Sequence, residues 1–283
     1  VKASWLRRLF GAPIPALQQR STIPDRLWTT QLAALPFIAA RDPSIHERLR
    51  TLCERFLATK EFHGAQGLAV SDEMALSVAM QACLPLSTMP TGSSAHSLLA
   101  WYDDFVGIVL QPGEVVAPRN ITDDSGVVHE WQEVIAGEAM ELGPVMLNWN
   151  DVAQAGESAA DGYNVVVHEF LHKMDLRDGV ADGCPPLPSG FCGAGSYRQA
   201  RQCWAAVFEP AYQRFRERVI RAERFGSPAP WLDAYGAESP DEFFAVTGEA
   251  YFVNRRHFDE EFPELAQLYD AFFAATVSPP DQR

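Results

Sequence analysis

Two histidines four residues apart, His168 and His172, stand in the stretch VVVHEFLHKMD (165–175), with Glu169 directly after the first. On a helix, residues four apart share one face, so both imidazoles can offer a nitrogen to one ion. Zinc accepts such a pair, and its catalytic sites add a third protein ligand and keep a position for water. Glu169, about 100° further round a helix, is placed to hydrogen-bond that water and serve as the general base of a metal-assisted hydrolysis. The plain alternative is a core helix with two incidental imidazoles, because Val165, Val166, Val167, Phe170, Leu171 and Met174 make the stretch strongly apolar.

A third ligand has three candidates. Asp178 lies ten residues after His168, the spacing of a chain that turns back through HExxHxxGxxH, but that turn wants glycine at position 175 and the residue is Asp175. In YGAESPDEFFAVTGEAYF (235–252), Ser239 can cap a helix, Pro240 suits its first turn, and Glu242 stands near its start. Phe243, Phe244, Val246, Ala250 and Tyr251 would bury that helix, so an inward carboxylate needs a partner such as a cation. Glu249, seven residues on, could ligate instead or accept a histidine N–H. The plain reading of Glu242 is a solvated first-turn acid favoured by the helix dipole. Tyr235 could donate to an oxyanion, although most loop tyrosines only pack. Asp175 and Asp178 fit roles beside the histidines or in the following loop.

The elements that must position these groups are helices over about 43–60, 71–83, 160–177, 196–222, 239–254 and 261–274, with Ser71 and Asp72 as capping candidates for the second. Between them, 105–118, 127–137 and 143–152 are short β-rich runs broken by Gly, Pro and Asp, which predicts a small sheet of strands and hairpins. The run VMLNW (145–149) could be an edge strand onto which a peptide adds, or an ordinary interior strand. Residues 1–40, broken by four prolines, are expected to form a loosely structured N-terminal arm of turns and short helices lying on the main body, and residues 41–283 a single α+β domain. Residues 178–195 form a Gly- and Pro-rich loop that could cover the site.

The composition narrows the partners. With 23 basic and 37 acidic residues the formal charge is −14, and no Lys/Arg cluster occurs, which argues against nucleic acid and anionic membranes. Five scattered cysteines read as reduced thiols of a cytosolic protein. No run approaches 18 apolar residues, so no membrane span is expected. GxxxxGK[ST], GxGxxG and GxSxG elements are absent, which argues against nucleotide-dependent and serine-hydrolase chemistry.

Three blocks, GPVMLNWNDV, GYNVVVHEFLHKMDLRDGVADGCPPLP and DAYGAESPDEFFAVTGEAYF, in this order and spacing, resemble the Mlc titration factor A family of bacterial zinc peptidases over about residues 45–275. That family is similar in its catalytic core to the protease domain of anthrax lethal factor. The resemblance implies a zincin-like fold, one zinc ion on His168, His172 and Glu242, Glu169 as base, and Tyr235 as the transition-state tyrosine. It also implies a cytoplasmic protein with aminopeptidase-type activity on small peptides. In enterobacteria the family binds the glucose-responsive repressor Mlc and relieves its repression of sugar phosphotransferase genes, so a Mlc-like repressor joins peptides as an expected partner. The rival expectation is a non-catalytic protein that sequesters a repressor and keeps a structural or vestigial zinc site. Against it, a structural site has no need of Glu169 and usually fills its fourth position with Cys or His.

Overall fold

Capping side chains and apolar stripes set most element ends. A computed structural model describes residues 22–90, 94–113, 115–122, 128–135, 137–139 and 143–273. Helices α1 (Asp25–Ala34), α2 (Pro36–Ala39) and α3 (Pro43–Thr59) open the described chain, and strand β1 (Glu61–Gly64) follows. In α3, Asp42 caps Ser44 N–H at 2.8 Å, and Leu49, Leu52, Cys53, Phe56 and Leu57 form the buried stripe. Helix α4 (Asp72–Thr88) starts at Ser71, whose hydroxyl accepts from Met74 N–H. Every residue from Met74 to Thr88 is buried, and the helix runs through Pro85 to Thr88, beyond the end expected near residue 83. Burial on all sides outweighs the hydrogen bond that proline removes.

Short helix α5 (Ala95–Leu99) and a 3-10 turn (Ala100–Tyr102) lead to strands β2 (Gly107–Gln111), β3 (Val115–Thr122), β4 (Val128–Ile135), β5 (Gly137–Ala139) and β6 (Val145–Asn148). Strands β3 and β4 pair as an antiparallel ribbon. The other sheet has the order β1-β2-β6-β5, with β1, β2 and β6 parallel and β5 antiparallel to β6. VMLNW therefore does not form an edge: β6 lies between β2 and β5, and residue 149 already begins helix α6 (Trp149–Ser158), capped by Asn148. Val145 and Leu147 are buried, which suits an inside strand.

Helix α7 (Val165–Asp175) carries the two histidines. It is followed by α8 (Tyr197–Phe225), α9 (Pro240–Val253), α10 (Arg255–Glu261) and α11 (Pro263–Phe273). Phe170 of α7 packs against Phe56, Tyr102 and Phe105, with ring centroids 4.9–5.8 Å away. Trp204 of α8 stacks on Tyr269 of α11, and Thr247 of α9 hydrogen-bonds Tyr269 at 2.7 Å. Within the expected arm, residues 1–21 lie outside the described residues. Residues 22–40 contribute Ile23, Trp28, Leu35, Phe37 and Ile38 to the core, and Arg41 Nη2 donates to Phe252 O of α9 at 2.7 Å. All five cysteines are free thiols.

Candidate metal centre

Asn164 starts α7: its side-chain Oδ1 accepts from Val167 N–H at 2.9 Å. Burial of the valines, Phe170, Leu171 and Met174 then fixes the rotation of the helix, leaving His168 and His172 on the opposite stripe with ring centroids 4.7 Å apart. From across the site comes α9, with Pro240 in its first turn and Glu242 just after. Ser239 stands extended at the cap position, but its side chain makes no capping bond, contrary to expectation. The two helices come very close at Gly248, where an added Cβ would meet Leu171 Cδ1 at 2.2 Å.

His168 Nε2 and His172 Nε2 are 3.1 Å apart, and Glu242 Oε2 is 3.2 Å from each. A tetrahedral ion with bonds of about 2.0–2.1 Å to such atoms holds them about 3.3–3.4 Å apart, so this triangle has the right size. The chemistry agrees, since two imidazole nitrogens facing at 3.1 Å repel unless a proton or a metal cation lies between them. Among the described residues this is the group of three His, Cys, Asp or Glu side chains whose ligand atoms converge on a single point.

Behind the triangle, His168 Nδ1 lies 2.7 Å from Glu249 Oε1, and Glu249 Oε2 accepts the backbone N–H of Asn164. A carboxylate on Nδ1 holds that nitrogen as the donor and turns the Nε2 lone pair to the triangle. Glu249 is thus the acceptor of a histidine N–H rather than a member of the triangle. Glu169 is buried, and its Oε2 has no hydrogen-bond partner. Tyr235, on a 3-10 turn (Ala234–Ala237) begun by Asp233, stacks on His168 with ring centroids 6.3 Å apart and remains partly exposed.

Charges in this group are strongly coupled. Burial raises the Glu169 carboxyl, and although His168 and His172 pull it back it stands at about 7. For Glu242 burial also pushes upward, but hydrogen bonds from the two imidazoles win and hold it well below the usual carboxylate range. Burial opposes a charge on His168, and Glu249 and Glu242 overcome this and raise it well above its ordinary value. Glu249 itself is raised by burial, against the pull of His168 and the Asn164 N–H.

Asp178 is held elsewhere, by Tyr197 Oη at 3.2 Å and Arg201 at 3.6 Å. Asp175 anchors the loop after α7, accepting Gly183 N–H on Oδ2 at 2.8 Å. That loop is pinned to α8, where Trp204 Nε1 donates to Gly183 O and Arg201 pairs with Asp182 at 2.5 Å. Sequence reasoning missed Asn164 and Gln81. Asn164 Nδ2 donates to Gln81 Oε1 at 2.8 Å, linking α4 to the start of α7. An N-cap signal is present in GYNVVV, whereas nothing local in α4 marks Gln81.

A helix presenting HExxH, a second helix bringing a glutamate to the same point, and a small mixed sheet beside them define a zincin-like metallopeptidase. Within that class, the chain belongs to the glucose-regulated metallo-peptidase M90 family, whose profile matches residues 6–274. It is 31% identical over 244 residues to Mlc titration factor A of Edwardsiella ictaluri, covering 86% of this chain and 85% of that protein. Proteins of the same name from Klebsiella pneumoniae (31% over 244 residues, 86% and 84% covered) and Shigella dysenteriae (29% over 260 residues, 92% and 90% covered) are similarly related.

Proposed function

We propose that this metallopeptidase is a cytoplasmic zinc enzyme with aminopeptidase-type action on peptides, formed as a single domain over residues 41–283 into whose core residues 22–40 pack. His168, His172 and Glu242 would hold the ion. The observation that carries this reading is the triangle of their donor atoms beside a buried, unpartnered Glu169 oxygen. Zinc bound there supplies Lewis acidity for a scissile carbonyl and for water. Glu169 takes the proton of the attacking water on Oε2 and returns it to the leaving amine. Tyr235 Oη donates to the oxyanion as charge develops. Glu249 holds His168 in one tautomer throughout. Strand β5, last in the order β1-β2-β6-β5, offers an edge for an extended peptide.

Metal analysis joined to turnover of a panel of aminoacyl reporters tests this. Wild type should contain one zinc, Glu242→Ala should lose it, and Glu169→Gln should keep it while turnover falls by a factor of at least about 10². Full turnover by a zinc-loaded Glu169→Gln protein would sink the base assignment. Loss of zinc from Asp178→Ala but not Glu242→Ala would overturn the ligand set.

A second role, binding of a Mlc-like repressor with an effect on sugar phosphotransferase genes, is supported by the name Mlc titration factor A that the relatives carry. The net charge of −14 argues against direct contact with nucleic acid. Among the described residues no helix is long and apolar enough to cross a membrane. Titrating the repressor with Glu169→Gln and His168→Ala proteins separates the roles, because binding kept by both variants makes regulation independent of catalysis.

A further inference from the structure

A cavity of about 220 Å³ lies one side chain from the metal triangle. Its floor is Glu249, whose Oε1 holds His168 Nδ1. Leu232 and Asp233 line one side, and Asp233 is two residues before Tyr235, which is stacked on His168. Trp231, Leu232 and Val246 give it apolar walls, and Trp231 is held by His257 stacked on it at 3.7 Å. Gly162 leaves that indole its place, since a Cβ there would come within 2.9 Å of Trp231 Cζ2.

Charge in the cavity has one sign. Asp161 and Asp233 are exposed at its mouth, Glu249 is buried at its base, and its lining contains no lysine, arginine or histidine. Burial raises Tyr163, and Asp233 adds to that shift, so its negative field reaches inside. The volume is below the roughly 300–1,000 Å³ of sites for free-standing small molecules, which favours a single side chain. An aliphatic stem with a cationic head matches apolar walls, an indole and an acidic mouth.

We propose that this cavity is the subsite for a lysine or arginine side chain of the peptide substrate, a preference that rests on the peptidase function proposed above. Trp231, Leu232 and Val246 pack the stem, and Asp161 and Asp233 receive the head. Neither acid touches the reacting atoms, so they set specificity.

Ligand-observed NMR with the tripeptides Ala-Lys-Ala and Ala-norleucine-Ala measures the preference without relying on turnover, and hydrolysis of the same peptides is followed in parallel. The lysine peptide should bind about fivefold tighter, as expected of one or two exposed ion pairs. The double variant Asp161→Asn, Asp233→Asn should bring the binding ratio close to one. The amide oxygen that Asp233→Asn introduces can still accept Tyr235 N–H, so the turn that Asp233 caps at 2.9 Å is kept. Equal binding by wild type, or a ratio unchanged in the double variant, overturns the subsite. n-Butylamine carries the same head and stem without a peptide, and binding as tight as Ala-Lys-Ala overturns the assignment to substrate. A protein that discriminates the peptides in binding but hydrolyses neither supports the pocket for a lysine or arginine side chain and overturns only its assignment to a hydrolysed substrate.

Discussion

His168 Nδ1 and Glu249 Oε1 stand 2.7 Å apart, on the side of the imidazole turned away from Glu242. The carboxylate that orients the ring also takes the backbone N–H of Asn164, so one residue of α9 sets both the histidine and the first turn of α7.

Replacing Glu249 by glutamine keeps its shape but removes the charge from this pair. Metal affinity, measured by competition with a chelator, should fall about 10- to 100-fold. An unchanged affinity would mean that burial of the ring alone fixes its orientation.

Tyr235→Phe separates packing from proton donation. The phenyl ring can still stack on His168, so metal content and KM should stay close to wild type while kcat falls by about 10²–10³, the range for loss of one oxyanion donor. Equal loss in KM and kcat would mark Tyr235 as a substrate-positioning residue instead.

The contact between α7 and α9 is tested at Gly248. Alanine there collides with the buried Leu171 side chain, and overpacking of this kind costs about 1–3 kcal/mol. Denaturant midpoints should drop for Gly248→Ala and recover in the Gly248→Ala, Leu171→Ala pair beyond the sum of the single effects.

Lys60 gives a pH test that uses none of the residues of the donor triangle. Burial lowers its ammonium to about 8, with Asp104 and Asp103 opposing, although Nζ donates to Tyr102 O and to Phe105 O at 2.6 Å. In the unfolded chain the group titrates near its free value of about 10.4. Between these values the unfolded state binds more protons, so the contribution of Lys60 is fully present above about 10.4 and is lost as pH falls through about 8. Lys60→Met should therefore stabilise most at about pH 7 and least near pH 10, in denaturant titrations run at both.

Much of helix α7 can be read from local sequence, because the spacing of His168 and His172 and the apolar residues around them specify its rotation and bring two imidazole nitrogens together. Glu242 cannot be separated from Asp178 and Glu249 by spacing, since its inward direction depends on how α9 crosses α7 at Gly248. The same limit explains VMLNW: its residues fit either an edge or an inside strand, and its neighbour β5 decides. Helix α6 is hidden behind that strand because Asn148 ends one element and caps the next with no intervening turn. Helices α1 and α2 are short helices of the kind expected among those prolines, but their bounds become legible only once Pro24 and Pro36 prove to be helix starts.

The donor triangle joins two helices whose contributing residues, His172 and Glu242, are seventy positions apart in the chain. An ion held there ties them together only in the folded state, and at a free concentration about 1,000 times its dissociation constant such a ligand adds about 4 kcal/mol to folding. With such an ion bound, the lifetime of the polypeptide under proteolysis would be tied to the supply of metal. A cell short of the ion would lose molecules of this enzyme to degradation as well as their activity, and its abundance would report metal status.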